Sequence, residues 1–260
     1  MNKKNTKDKY QHDFSKLQPS MYQISDREKK ASKTIAVISD HIPDLSNLNL
    51  LDIGCSTGIM TNFYSNFFKS ITALDIDKDA VNYAKSITKN KYVNFLITSI
   101  EESNLSANSY DVITCSHIYE HVPDSEKLME AIFKYLKPGG ICYFAAGNRY
   151  QIFENHYKLY FLSYFPKKIS NFYLRVTKKG DYYYENHLSL LKLKKLTKNF
   201  IIHDYTLEII KNPLKFNADE MIDPNKVYFP IVKLLSNIFY FFIPTYIWLL
   251  EKPNNINKIN

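Results

Sequence analysis

Three cysteines in 260 residues are too few, and odd in number, for a disulfide framework. Cys55, Cys115 and Cys142 are too widely spaced to be metal ligands, and each sits at or inside an apolar run. They read as small buried residues of a reducing compartment. The start of the chain lacks a secretory signal. Residues 1–9 carry Lys3, Lys4, Lys7 and Lys9 but no apolar core, so residues 1–20 are expected to be a disordered basic tail. Glycine is scarce, with six in all. No G-x-G-x-x-G run is present to approach a dinucleotide pyrophosphate, and no Walker lysine is present to hold a triphosphate. The net charge is +8, yet there is no compact basic stripe and no Asn-Pro-Pro-Tyr motif for exocyclic amines. These absences speak against a nucleic-acid partner; the excess lysines read as a solvated surface.

What is present centres on residues 50–60. Leu50, Leu51 and Ile53 form the short apolar run of a buried parallel strand. The run breaks at Gly54 and again at Gly58, after which Ile59, Phe63 and Phe67 recur at helical spacing. A strand that turns through glycines into a helix lets backbone approach a nucleotide closely. A second strand, 70–75, ends at Asp75, whose carboxylate can accept from both ribose hydroxyls. Further strands are expected at 92–97, 110–115 and 141–146, with helices at 22–41, 58–68, 78–89 and 124–136. Strict alternation predicts an α/β, Rossmann-like fold with a mostly parallel sheet covered on both faces. Residues 21–260 read as a single domain.

At these residues the chain resembles the class I S-adenosylmethionine-dependent methyltransferases. The matching pieces are Leu51-Asp52-Ile53-Gly54-Cys55-Ser56-Thr57-Gly58, Ala73-Leu74-Asp75-Ile76-Asp77, Tyr110-Asp111-Val112-Ile113-Thr114-Cys115-Ser116 and Leu136-Lys137-Pro138-Gly139-Gly140. The resemblance implies S-adenosyl-L-methionine as cofactor and a seven-stranded sheet closed by an antiparallel last strand. It implies a donor cradle of Asp52, Gly54, Cys55, Gly58, Asp75, Ile76, Ser99, Ile100 and Ser116. Asp75 would take the ribose, Ile76 would pack on adenine, and Asp52 would face the donor's amino group. The chain departs from the family at Ser99. Members often carry Asp there for the adenine amino group; a hydroxyl accepts without charge assistance.

The stretch Ser116-His117-Ile118-Tyr119-Glu120-His121-Val122-Pro123 should lie near the donor methyl by the same resemblance. His117 or His121 is the expected base or positioning residue. The H-x-x-E-H spacing also occurs in zinc proteases, but here it follows a strand and ends at a proline, so no metal is expected. Residues 148–187 are crowded with aromatics and are expected to form a helical insertion over the acceptor site. Within it Tyr150, Glu154 and His156 are the candidate acceptor contacts. Asn148-Arg149-x6-His156 and Leu162-Ser163-Tyr164-Phe165-Pro166 resemble methyltransferases of bacterial surface-polysaccharide and lipid-carrier pathways. Residues 188–198 read as a basic amphipathic helix, 200–205 as a sixth strand, 228–242 as a packed helix and 245–250 as the last strand.

The expected activity is O-methylation of a small-molecule, glycan or lipid-linked sugar acceptor. A quinone-pathway O-methyltransferase is the nearest alternative, suggested by Tyr119-Glu120-His121-Val122-Pro123. A catalytically silent donor-binding or membrane-docking module is the alternative from another class. The expected location is cytoplasmic, with peripheral contact at the inner face of the membrane as an option. Nothing in the sequence speaks to oligomeric state.

Overall fold

A computed structural model describes residue 12 and residues 14–254. Helix α1 (Phe14–Leu17) and a 3-10 turn (Pro19–Tyr22) lead into α2 (Ile24–His41). Then follow β1 (Asn49–Ile53), α3 (Ile59–Tyr64), β2 (Ser70–Asp75), α4 (Lys78–Ile87), β3 (Val93–Ile97), β4 (Tyr110–Ser116), α5 (Ser125–Tyr135) and β5 (Leu136–Gly147). The insertion holds β6 (Phe153–Glu154), β7 (Leu159–Tyr160) and α6 (Lys167–Val176). The chain continues through α7 (Leu190–Leu196), β8 (Ile201–Asp204), α8 (Thr206–Lys211), α9 (Phe229–Ile238) and β9 (Thr245–Glu251).

The main sheet has seven strands in the order β3-β2-β1-β4-β5-β9-β8. The first five run parallel, and β9 inserts antiparallel between β5 and β8. The mostly parallel Rossmann-like sheet with an antiparallel closing strand is thus the one expected. The order reverses between β1 and β4, and ligands of open α/β sheets bind outside the carboxyl ends at such a reversal. Each sheet face has its own core. Along β9, Ile247 and Leu249 join the core beneath α2, whereas Tyr246, Trp248 and Leu250 join the core beneath α5 and α7. This is the two-residue period of a strand buried on both sides. Asp77 and Asp124 start α4 and α5 by accepting backbone N–H bonds from the first helical turn.

Four expectations are corrected. Residues 1–11 and 13 of the expected tail lie outside the described residues, but 14–22 are ordered. Asp77 caps α4 with Oδ1, which leaves Oδ2 for Ser15, whose N–H and hydroxyl donate to it at 2.9 and 2.6 Å. Ser15 is buried in consequence. The insertion is not purely helical, because β6 and β7 pair as a short antiparallel hairpin before α6. Strand β5 begins at Leu136 rather than 141, with a register irregularity against β4 between Tyr110 and Val112. Finally, α9 is not a packed helix. It has no buried residue, and Ile231, Leu234 and Ile238 are 58%, 62% and 64% exposed. Its apolar pattern is real, but only the following 3-10 turn reaches the core, through Tyr240 and Phe241.

Candidate active site

The glycine turn after β1 is shaped by close approach. Gly54 and Gly58 have φ of +71° and +69°, a region costly for a side chain. A Cβ on Gly54 would lie 2.1 Å from Ile118 Cδ1, and one on Gly58 would lie 2.5 Å from Ala84 Cβ. Ser56, between them, is also left-handed at φ +49°. Its N–H is held by Asp75 Oδ2 at 2.8 Å, while Asp75 Oδ1 accepts from Asp77 N–H at 2.8 Å. Each oxygen keeps lone-pair capacity for a ribose hydroxyl. Burial pushes the Asp75 pKa up, against the pull of these N–H bonds.

Asp52 is more enclosed than its expected role suggests. Thr61 and Thr114 hydroxyls donate to its two oxygens, each at 2.6 Å. Arg27 on α2 also acts electrostatically on it, and burial nonetheless raises its pKa. Arg27 was missed at the sequence level. Its Nε is buried without a hydrogen-bond partner. An unpartnered guanidinium nitrogen within electrostatic reach of Asp52 is chemically suited to a carboxylate such as the methionine end of the donor. A signal existed: the chain spends only three arginines among its many lysines, at 27, 149 and 175. At the other end of the cradle, Ile76 is half-buried, Ile100 and Cys55 are buried, and Ser99 Oγ accepts from Glu102 N–H at 3.3 Å. Ser116 ends β4 and is half-buried.

Beyond β4 and β5 the structure gathers an acid–imidazole cluster. His117, left-handed at φ +56°, points Nδ1 at Glu120 Oε1, 3.1 Å away. His121 Nδ1 lies 3.9 Å from Glu185 Oε1, and its ring meets that of His156 edge-on at 5.2 Å. His156 Nδ1 is 2.7 Å from Glu154 Oε1, and Phe14 of the ordered N-terminal segment packs on both His121 and His156. Among the expected acceptor contacts, Glu154 and His156 therefore join His121. Tyr150 does not join them: its ring packs edge-on against Tyr164 and tilted against Phe241 instead, at 5.5 and 5.2 Å.

Glu185 and His187 also belong here and were not singled out from sequence. Glu185 and Glu120 are fully buried, and one oxygen of each has no hydrogen-bond partner. Lys167 fixes the loop that carries Glu185, donating to the carbonyls of Tyr183, Tyr184 and Glu185 at 2.7, 3.0 and 2.6 Å. His187 Nδ1 meets Tyr183 OH at 2.9 Å, and a Cβ on Gly147 would come within 2.7 Å of the His187 ring. These residues hide in a Tyr-rich loop with no periodicity, so no local pattern marked them.

The environments drive the pKa values apart. Burial pushes Glu185 up to about 7, against the charge of His156. Burial pushes His121 down to about 4 despite Glu120. For Glu120 burial acts upward, but the His117 hydrogen bond and the nearby imidazoles outweigh it and hold the carboxyl at about 2. Burial pulls the His156 pKa down, but its bond to Glu154 together with the charges of Glu154, Glu185 and Glu120 outweighs that and raises it. Near neutral pH the cluster thus pairs an ionised Glu120 and a neutral His121 with a carboxyl, Glu185, poised to take or give a proton. Titratable groups pushed apart in this way are characteristic of acid–base sites.

Residues 23–190 match the family model described as a methyltransferase domain. The chain belongs to this family of S-adenosylmethionine-dependent methyltransferases. The ubiquinone biosynthesis O-methyltransferase of Hydrogenovibrio crunogenus is 32% identical over 124 residues, covering 46% of this chain and 49% of that one. The protein of the same name from Escherichia fergusonii is 30% identical over 118 residues, covering 44% and 49%. The chain spans about half the length of the curated relatives it matches. Two solved structures share the fold. One is the methyltransferase bound to the Haloferax volcanii Trm112 activator, with TM-score 0.60, 16% identity and coverage of 94% and 98%. The other is the plantazolicin methyltransferase BpumL in complex with S-adenosylhomocysteine, with TM-score 0.56, 20% identity and coverage of 92% and 90%.

Proposed function

We propose that the protein transfers the methyl group of S-adenosylmethionine to a hydroxyl on an acceptor with an apolar or lipid-linked portion. The observation that carries this is the buried acid–imidazole cluster around the loop after β4, beside the glycine turn and Asp75. The sulfonium of the donor is already electrophilic, so the protein must position an oxygen and relieve it of a proton. Positioning alone supplies roughly 7–11 kcal/mol in favourable cases. In this reading Asp75 holds the ribose, Ile76, Ser99 and Ile100 hold the adenine, and Arg27 takes the donor carboxylate. Gly54, Cys55, Gly58 and Ser116 let the donor sit close to the backbone, and Asp52 holds the turn through Thr61 and Thr114. The buried Glu185 carboxylate accepts the hydroxyl proton, with His121 and His156 orienting the oxygen. His117 acts through Glu120. The relatives named for ubiquinone O-methylation support a hydroxyl acceptor and favour a quinone-like ring or another head carried on a long apolar chain.

The acceptor side also supports working at a membrane surface. No helix among the described residues is long and apolar enough to span a bilayer. However, the exposed apolar face of α9 continues by ring contacts from Phe242 and Phe241 through Tyr150 and Tyr164 to Phe161. Seven basic residues lie in 148–187, while two of its three acids, Glu154 and Glu185, are buried. An apolar face flanked by exposed lysines suits an anionic lipid interface.

The test is transfer of tritiated methyl from the donor to cell material fractionated into lipid, glycan, RNA and protein. Label in the lipid fraction, stable to base as an ether is, supports the reading. Label confined to RNA or protein, or none with a donor-binding protein, refutes it.

A further inference from the structure

The far edge of the sheet carries a cluster that methyl transfer does not use. His41 ends α2, His203 lies on the edge strand β8, and Glu251 closes β9. The strand register explains why they meet. His203 pairs with Leu249 and Ile201 with Glu251, so the two-residue period puts His203, Leu249 and Glu251 on one face. That face is the one α2 covers, since Val37, Ile38 and Leu249 share a core. The last residue of α2 therefore hangs over the pair on the strands. His203 Nε2 lies 2.7 Å from Glu251 Oε2. The His41 and His203 ring centroids are 4.5 Å apart. One ligand-capable atom from each of the three residues lies within 4.8 Å of the other two.

We infer that His41, His203 and Glu251 form a binding site for a divalent zinc-type cation, through two imidazole nitrogens and one carboxylate oxygen, with water as the fourth ligand. Bonds of about 2.0–2.1 Å in a tetrahedron put ligand atoms about 3.3 Å apart. The His203 and Glu251 atoms are 2.7 Å apart and none of the three is more than 4.8 Å from another, so modest side-chain rotations close the shell. The His203 and Glu251 side chains are 34% and 23% exposed, which leaves a path for the cation and room for a water. Asp40, next to His41, pairs with Lys215 at 2.6 Å. Two imidazoles with a carboxylate select zinc over magnesium or calcium, which prefer all-oxygen shells. The cation would tie the end of α2 to the edge of the sheet, so the site is a structural clasp remote from the donor cradle.

Zinc chloride is titrated into the full chain, with stoichiometry read by calorimetry and stability by thermal unfolding. One zinc per chain is expected, and at about 100 times its dissociation constant the thermal midpoint should rise by several degrees. His41→Ala, His203→Ala and Glu251→Gln should each abolish the rise while S-adenosylhomocysteine binding, the check on folding, is retained. His156→Ala should leave the rise intact. The inference is overturned if wild type shows no rise up to millimolar zinc. It is equally overturned if the rise survives undiminished in both His41→Ala and His203→Ala, which would put the cation at the acid–imidazole cluster instead.

Discussion

Asp75 joins two tasks that substitution can separate. Its oxygens hold the Ser56 and Asp77 N–H groups at 2.8 Å each and, in the proposed reading, accept from the donor's ribose. In Asp75→Asn the shape is kept, but one oxygen becomes an NH2 that can no longer accept from the backbone N–H it faces, and the charge is lost. One ribose hydrogen bond disappears and the other loses its charge assistance, a cost of about 1.5–3 kcal/mol. Affinity for S-adenosylhomocysteine should therefore fall roughly 10- to 100-fold. In Asp75→Ala both ribose bonds go, and two backbone N–H groups lose their partner, one of them on the left-handed Ser56. At about 1–2 kcal/mol for each partly buried N–H, stability should drop by about 2–4 kcal/mol. That is a large share of the roughly 5–15 kcal/mol margin of a domain. Calorimetry with S-adenosylhomocysteine measures the first quantity and urea unfolding the second. An Asn variant that folds and binds with unchanged affinity would refute the donor assignment. An Ala variant as stable as wild type would refute the strained-turn argument.

The other expectations concern separate parts of the molecule. Gly58→Ala must take up φ +69° and place a Cβ 2.5 Å from Ala84, so urea unfolding should show a loss of about 2–4 kcal/mol from strain and overpacking together; a neutral result would mean the turn relaxes freely. Glu185→Gln should lower kcat far more than it weakens S-adenosylhomocysteine binding, and should remove a limb of the kcat–pH profile near 7. The same carboxyl makes a stability test. Its folded pKa, about 7, lies above the ordinary 4.5, so its contribution is full below 4.5 and is lost as pH rises through 7. Stability relative to Glu185→Gln should thus fall between those values, and a rise would contradict the burial argument. Leu234→Glu and Ile238→Glu lie on the exposed face of α9, so thermal stability should hardly change while flotation with anionic vesicles is lost; flotation equal to wild type would remove the membrane reading. Ser15→Ala breaks the 2.6 Å bond to Asp77 and should raise proteolytic nicking before residue 24 without unfolding the sheet.

The glycine turn and the Asp75 that braces it were legible in the chain because their logic is local. Leu50 to Ile53 can only be a buried strand, and Gly54 and Gly58 stand where positive φ and close contact with Ile118 and Ala84 forbid a side chain. Asp75 ends its strand within hydrogen-bond reach of that turn, which a β-turn-α period of fixed length dictates. The alternation of strands and helices likewise determined a mostly parallel sheet covered on both faces, whereas its strand order came only with the tertiary structure. Tertiary structure alone decided what depends on distant partners. The second oxygen of Asp77 anchors Ser15, inside the stretch 1–20 read from sequence as a tail. Lys167 holds the loop that buries Glu185 against His121, across 64 residues of chain. The amphipathic pattern of α9 states that one face is apolar, but not whether protein covers it; only the packed structure shows that face open to its surroundings. Periodicity encodes a segment's own conformation, whereas burial, pKa and partnership are properties of what the fold brings alongside.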